Sequence, residues 1–124
     1  MTLRSVHVPY PPSTNALWRY TKRGVYRTAK YVKYINDCKL LHMHPGHPLD
    51  APVKMEILAH PPDKRRRDLD NLSKCLCDLA IHLRLIEDDH WIHELYMKWE
   101  RVEITQGVVM TVSTLDVSPV EVIT

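Results

Sequence analysis

Leu72, Cys75, Leu76, Leu79, Ala80 and Leu83 recur at spacings of three and four residues, a stripe that an α-helix places on one face. The spacing predicts a helix from Asp68, or just after it, to about Leu83. That stripe must lie against a sheet. Carboxylates stand at both ends of the helix: Asp68 and Asp70 before it, Asp88 and Asp89 beyond it. Asp68 reads as the N-cap. Asp70, Lys74 and Asp78 fall four residues apart along a different face. Like charges repel, so a fold that gathers several carboxylates needs a cation to hold them together. Hard oxygen ligands select Mg²⁺, with Mn²⁺ as its substitute.

The rest of the chain supplies a sheet for that helix. Leu3 to Val8 reads as a short strand closed by Pro9. Pro11-Pro12-Ser13-Thr14-Asn15 is a rigid extended loop, because consecutive prolines exclude helix. Leu17 to Tyr20 and Val25 to Thr28 pair as a hairpin around Lys22-Arg23-Gly24. Trp18, Tyr20 and Tyr26 interleave there with Arg19, Arg23 and Arg27. Two uses of those aromatics stand side by side: stacking on unpaired bases, or filling the core. Thr28 is an N-cap for a helix to about Met43, with Tyr31, Tyr34, Ile35, Cys38 and Leu41 as its apolar stripe. Val53 to His60 alternates Val53, Met55, Ile57 and Ala59 on one face and is a strand. Ile92 to Val102 and Val108 to Leu115 are the last strands, joined by a turn at Gln106-Gly107. Asp116 to Thr124 is expected to be loosely held. The order βαβαββ, with an added early hairpin, predicts an α+β fold: a mixed sheet with two main helices packed on it. A length of 124 residues suits a single domain over 1–124.

Net charge is only +2, but its distribution is polar. Arg4, Arg19, Lys22, Arg23, Arg27, Lys30 and Lys33 all precede the first carboxylate, and no Lys or Arg follows Arg101. Such asymmetry concentrates positive potential and lets a near-neutral protein bind a polyanion. Lys64-Arg65-Arg66-Arg67 runs directly into Asp68, and an arginine run beside acids points to a phosphate-rich substrate. Cys38, Cys75 and Cys77 form no disulfide pattern, and Cys75-x-Cys77 is too close for a zinc pair. With no signal peptide or membrane-spanning run in view, a cytoplasmic setting is expected. His42-x-His44-x-x-His47 has ligand-like spacing but lies where a helix ends at Pro45-Gly46, and it reads as surface. His90 and His93 flank the second acidic pair and read first as surface or strand residues.

Phosphodiester hydrolysis needs a nucleophilic water, charge neutralisation at phosphorus and help for the departing oxygen. Carboxylate-bound Mg²⁺ serves all three, and a lysine one turn beyond Asp70 is placed to stabilise the pentacovalent state. Lys74 could equally be an ion-pair partner of Asp70 or Asp78. Arg65, Arg66 and Arg67 would grip backbone phosphates. One difficulty remains: a straight helix puts Asp88 and Asp89 roughly 20 Å from Asp68 at about 1.5 Å per residue. Either residues 83–87 fold back along the helix, or a second subunit supplies a carboxylate.

Arg65-Arg66-Arg67-Asp68-Leu69-Asp70-Asn71-Leu72-x-Lys74, followed by Asp88-Asp89, resembles the RusA family of Holliday junction resolvases. Pro11-Pro12-Ser13-x-Asn15 and the Val53-Lys54 strand leading to Pro62-Asp63 are similar to that family as well, and the likeness spans roughly residues 3–115. The resemblance implies a homodimer, bacterial or phage-encoded, that binds a four-way DNA junction and makes paired symmetric nicks with Mg²⁺. It implies that Asp68, Asp70 and Asp89 bind metal, with Asp88 beside them, and that Lys74 is the catalytic lysine. Asn15 matches a position associated with junction handling. Arg84 departs from the family, which often has glycine there, and Cys75 and Cys77 replace a more alanine-rich helix.

The reading is a Mg²⁺-dependent junction endonuclease. Its catalytic residues are Asp68, Asp70, Lys74 and Asp89, and its metal ligands Asp68, Asp70, Asp89 and Asp88. Asn15, Arg19, Arg23, Arg27, Arg65, Arg66 and Arg67 bind DNA. No membrane and no small-molecule cofactor are expected. The alternatives are a non-catalytic branched-DNA binding protein and a flap or fork nuclease.

Overall fold

The computed structural model describes residues 2–100 and 106–115. The elements run β1 (Leu3–Val8), a 3-10 turn (Thr14–Ala16), β2 (Trp18–Thr21), β3 (Gly24–Arg27), α1 (Ala29–His42), β4 (Val53–His60), α2 (Asn71–His82), a second 3-10 turn (Asp89–Trp91), β5 (Ile92–Trp99) and β6 (Gly107–Thr114). Four strands form one sheet in the order β1-β6-β4-β5, and β2 pairs only with β3. β4 is antiparallel to β6 and parallel to β5, so the sheet is mixed and the fold α+β. A parallel pair needs a crossover connection, and α2 supplies it between β4 and β5. The stretches expected at Arg101–Val102 and Asp116–Thr124 lie outside the described residues.

β4 follows its sequence pattern strictly, with Val53, Met55, Ile57 and Ala59 buried and their neighbours half-buried. Val108, Met110 and Val112 of β6 complete the same buried face, onto which α2 lays Leu72, Cys75, Leu76, Leu79 and Ala80. α1 adds Tyr31, Tyr34, Ile35 and Cys38. Leu41, expected in that stripe, is 78% exposed beside Leu40 at 85%. The last turn of α1 runs past the core, so the stripe ends at Cys38. Gly107 opens β6 at φ 130°, and a Cβ there would stand 2.5 Å from the Val8 carbonyl oxygen, which leaves glycine alone able to fit.

One expected helix boundary moved. α2, expected to start at Asp68 or just after it, begins at Asn71, and Asp70, not Asp68, occupies the N-cap position. The Asp70 side chain makes no capping hydrogen bond, because its dihedrals are already helical (φ −65°, ψ −22°). Backbone i to i+3 bonds serve the first turn instead: Asn71, Leu72 and Ser73 N–H groups donate to Asp68, Leu69 and Asp70 carbonyls at 3.3, 3.2 and 3.1 Å. Both carboxylates are thereby left out of capping.

The far end of α2 shows what the departure at residue 84 means. Leu83 is the C-cap, and Arg84 stands at φ 61°, the only positive φ among the described non-glycine residues. Arg84 N–H donates to the Ile81 carbonyl and Leu85 N–H to the Ala80 carbonyl, both at 3.0 Å. That pair of bonds is a Schellman cap, whose left-handed position glycine usually fills. The reversal buries Leu83, Leu85 and Ile86. It also docks the returning chain on residues 44–49, through His44 N–H to the Leu83 carbonyl (2.8 Å) and Glu87 N–H to the Leu49 carbonyl (2.8 Å). Arg4 donates to the Leu85 carbonyl at 3.2 Å, giving one cation of the basic N-terminal region a structural task.

A non-glycine residue in this conformation costs about 1–2 kcal/mol, partly offset by glycine's greater chain entropy when unfolded. Arg84→Gly is therefore expected to stabilise the fold by up to about 1 kcal/mol, read as a higher urea midpoint with an unchanged slope. A lower midpoint would mean that the exposed Arg84 bond to the Gly46 carbonyl outweighs the backbone strain.

Candidate nuclease site at the start of helix α2

The loop from His60 to Asp70 is held by one carboxylate that sequence reasoning missed. Asp63 accepts from the Arg65 backbone N–H at 2.9 Å and pairs with the guanidinium groups of Arg65 (3.0 Å) and Arg67 (2.8 Å). The hydrogen bonds from Arg65 hold its carboxyl far below the usual carboxylate range. Arg67 also lies over the Tyr10 ring at 5.5 Å. Tyr10 belongs to the proline loop, which α1 pins through a hydrogen bond from Tyr34 Oη to the Pro9 carbonyl (2.6 Å). The arginine run and the proline loop thus become the two walls of a cleft of about 390 Å³, lined by Asn15, Arg66, Arg67, Asp68, Asn71 and Ser13 among others. Arg66 makes no ion pair among the described residues, so its cation is available to a ligand.

Asn71 also lines a second, smaller cleft of about 210 Å³, with Asp70, Lys74, Trp18 and Tyr20. Lys74 forms no ion pair with Asp70 or Asp78 among the described residues. Its ammonium sits 4.5 Å from the centre of the Trp18 ring, within cation–π range. Trp18 meets Tyr31 edge-on at 5.2 Å. Tyr31 donates its hydroxyl to Asp78 at 2.8 Å, and one guanidinium nitrogen of Arg27 donates to both Asp78 oxygens at 3.1 and 3.0 Å. Burial, with Cys75 and Asp78 nearby, pushes the Tyr31 phenol well above its ordinary value, so it remains a donor. Asp78 is in effect the hook by which the β2–β3 hairpin hangs on α2.

The hairpin places Arg19, Lys22, Arg23, Tyr26 and Arg27 around a basic hollow of about 590 Å³. Of the three hairpin arginines expected to meet DNA, Arg19 and Arg23 have no acidic partner among the described residues, whereas Arg27 is engaged by Asp78. The two readings of the hairpin aromatics divide between residues. Trp18 packs against the core, while Tyr20 and Tyr26 are 75% and 50% exposed.

The second acidic pair splits as well. Asp88 caps the 3-10 turn, accepting from the Asp89 N–H at 2.8 Å and holding His90 Nδ1 at 2.9 Å. The bond to His90 lowers the Asp88 carboxyl below its usual value. Asp89 lies in the 3-10 turn that contacts α2, close enough for its charge to act on Cys77. The Cys77 thiol is pushed up to about 11 by burial, then by the Asp89 and Asp78 charges. The fold-back after Leu83 therefore returns Asp89 to the helix. Cys77 is seven residues past Asp70, about 10 Å along the axis, and Asp70, Lys74 and Cys77 share a face at i, i+4 and i+7. Among the described residues, no three His, Cys, Asp or Glu side chains gather at metal-ligand spacing. The carboxylates of Asp68 and Asp70 are hard oxygen donors with no hydrogen bond or ion pair among the described residues, beside a helix N-terminus, and that chemistry fits a divalent cation.

The family model described as endodeoxyribonuclease RusA matches residues 9–113. The crossover junction endodeoxyribonuclease rusA of Enterobacteria phage HK97 is 34% identical over 90 residues, which cover 71% of this chain and 75% of the phage protein. The protein of that name from Escherichia coli K12 is 37% identical over 82 residues, 63% of this chain and 67% of its own length. Its counterpart in Enterobacteria phage 82 is 35% identical over the same span. No helix of the described residues is long and apolar enough to cross a membrane.

Two outcomes check this geometry. Asp78→Ala removes a charged hydrogen-bond acceptor shared by Arg27 and Tyr31 and should cost about 1–3 kcal/mol. Faster hydrogen exchange should be confined to the β2–β3 amides; exchange unchanged there would mean that the hairpin is held otherwise. Asp89→Asn should speed alkylation of Cys77 at pH 8 several-fold, because removing a facing negative charge raises the thiolate fraction. An unaltered rate would place Asp89 away from the helix.

Proposed function

The chain belongs to the endodeoxyribonuclease RusA family, and on that premise we propose that it resolves four-way DNA junctions by paired symmetric nicks, as a Mg²⁺-dependent homodimer. The observation that carries this reading is the convergence of Asn15, Arg66, Arg67 and Asp68 on one cleft, joined through Asn71 to a second that holds Asp70 and Lys74. Cations that bind phosphate and carboxylates that bind a metal are thereby set side by side. The names of the relatives, crossover junction endodeoxyribonucleases, support the substrate class.

Asp68 and Asp70 would hold the cation, with Asp89 as the third acid. When bound, a divalent ion offsets charge at the phosphorus and raises the nucleophilicity of water. The protein's own groups do the rest. Arg66 and Arg67 bind the backbone on one side of the cut, and Arg19 and Arg23 bind a second strand along the hairpin. Lys74 is presented at the scissile phosphate, where its ammonium stabilises the added negative charge of the transition state. Holding it over Trp18 rather than in an ion pair leaves that charge unneutralised. Asp88 serves the 3-10 turn and acts by orienting Asp89. A junction offers two equivalent scissile phosphates, and a two-fold dimer offers two equivalent sites, so dimerisation matches the symmetry of the substrate.

The direct test incubates a labelled synthetic four-way junction with Mg²⁺ and, in parallel, with EDTA. Paired nicks that need the cation are expected; binding with no nicking in either Mg²⁺ or Mn²⁺ would leave a junction-binding protein. Asp70→Asn should abolish nicking while keeping or tightening junction binding, since it removes a negative charge facing phosphate. Lys74→Ala should slow the chemical step with little loss of affinity. Arg66→Ala should lower the slope of log affinity against log salt by about 1, the signature of one lost phosphate contact. An unchanged slope would make Arg66 a bystander.

A further inference from the structure

The β2–β3 hairpin carries a side chain that neither the core nor the phosphate-binding groups explain. Tyr20 is 75% exposed, the most exposed aromatic of the described residues, yet it lines the cleft that contains Asp70 and Lys74. Cross-strand partners in an antiparallel pair share a face. Trp18 pairs with Arg27 and Tyr20 with Val25, so these four side chains lie on the face turned to α2. Arg19 and Tyr26 are paired on the other face. The two exposed tyrosines are therefore not equivalent. Tyr26 ties its hydroxyl to the Arg23 carbonyl at 3.4 Å, whereas Tyr20 makes no hydrogen bond among the described residues. Val25, 54% exposed, stands opposite Tyr20 and widens the apolar surface.

Position adds to exposure. Lys74 lies over Trp18, and Tyr20 is two residues further along the same strand, about 6.6 Å away. A nucleotide whose phosphate met Lys74 would have its base within reach of the Tyr20 ring. We propose that Tyr20, backed by Val25, is a stacking platform for an unpaired nucleobase of the strand held at Asp70 and Lys74, and that this contact favours branched over fully paired DNA. In a continuous duplex the base faces are covered by their neighbours, so a tyrosine gains nothing there. At a branch point, stacking is interrupted and a base face is free. The surrounding charge is complementary, since Lys22 and Arg23 form the hairpin turn and the hairpin has no carboxylate. With three quarters of Tyr20 exposed and its hydroxyl unbonded among the described residues, core packing does not account for an aromatic beside the cleft, and the proposal does.

The inference rests on the nuclease reading, and its test is kept separate from cleavage. The parent protein, Tyr20→Ala and Tyr20→Phe are titrated in EDTA against a four-way junction with 2-aminopurine beside the branch, and against a linear duplex of equal length. Stacking predicts that the parent and Tyr20→Phe change the probe's fluorescence and that Tyr20→Ala does not. Junction affinity should fall roughly 5- to 100-fold in Tyr20→Ala with duplex affinity unchanged. Equal losses on both DNAs, or a full fluorescence response from Tyr20→Ala, would overturn it. Nicking by the parent in Mg²⁺ is scored independently. A parent that nicks while Tyr20→Ala binds normally removes only the stacking claim. A parent that never nicks removes the nuclease reading and leaves the fluorescence result to stand alone.

Discussion

With Leu72, Cys75, Leu76, Leu79 and Ala80 buried against the sheet, α2 cannot turn about its axis. Each of the larger side chains contributes roughly 1.5–3 kcal/mol on burial, so a rotation that exposed the stripe would cost most of a small protein's net stability. Asp70, Lys74 and Cys77 lie on the opposite face for that reason alone. Every other part of the site is arranged around this fixed row. The hairpin approaches it from one side, the proline loop from its N-terminal end, and the 3-10 turn with Asp89 from beyond its middle.

What brings those parts to the helix differs from part to part. The hairpin has few apolar anchors of its own: Leu17 and Trp18 pack inward, and none of β3 is buried. It depends on Asp78, where two donors converge on one carboxylate and the geometry is better than a lone surface pair would allow. The proline loop is fixed by Tyr34 on one side and Arg67 on the other, so its stiffness comes from proline but its direction from a tyrosine on a different helix. The return to Asp89 depends on a strained cap at Arg84, made tolerable because the reversal buries three aliphatic side chains behind it. Three short segments, none of them stable alone, are each fastened to α1 or α2 by a different kind of contact.

Local pattern made most of the fold legible. β1 and β4 occupy the residues that alternation and proline placement assign, and Thr28 caps α1 by accepting from the Tyr31 N–H at 3.2 Å. The misplaced features have physical reasons. Asp68 resembles an N-cap because aspartate favours that position, but the first turn of α2 is closed by backbone carbonyls and leaves the side chain unused. Leu41 fits the helical period, but the period does not say where the core ends. In the candidate site, the spacing of Asp68, Asp70 and Lys74 was legible because these residues are close in sequence, two before the helix or at its cap and one in its first turns. Trp18 beneath Lys74, Asp78 beneath Arg27 and Tyr10 beside Arg67 were not, since each contact joins residues separated by fifty or so positions and no spacing rule links them. Asp63 was close enough in sequence to be noticed, as an acid two and four residues before two of the arginines.

Asp63 bears on how the arginine run can serve both fold and ligand. Three consecutive guanidinium groups repel one another and would hold the loop open, away from the proline segment. One carboxylate bound to the first and third lowers that repulsion and turns them along the loop. The middle one, Arg66, is then the cation left to face the cleft. A carboxylate replaced by a phosphate from the substrate would serve the same two arginines equally well, because both anions match the guanidinium fork. The loop is thus shaped around an internal anion, the Asp63 carboxylate that Arg65 and Arg67 share. Preorganisation of this kind lowers the ordering cost of binding an anion, and it does so beside Asp68, two residues before the Asp70 that caps α2.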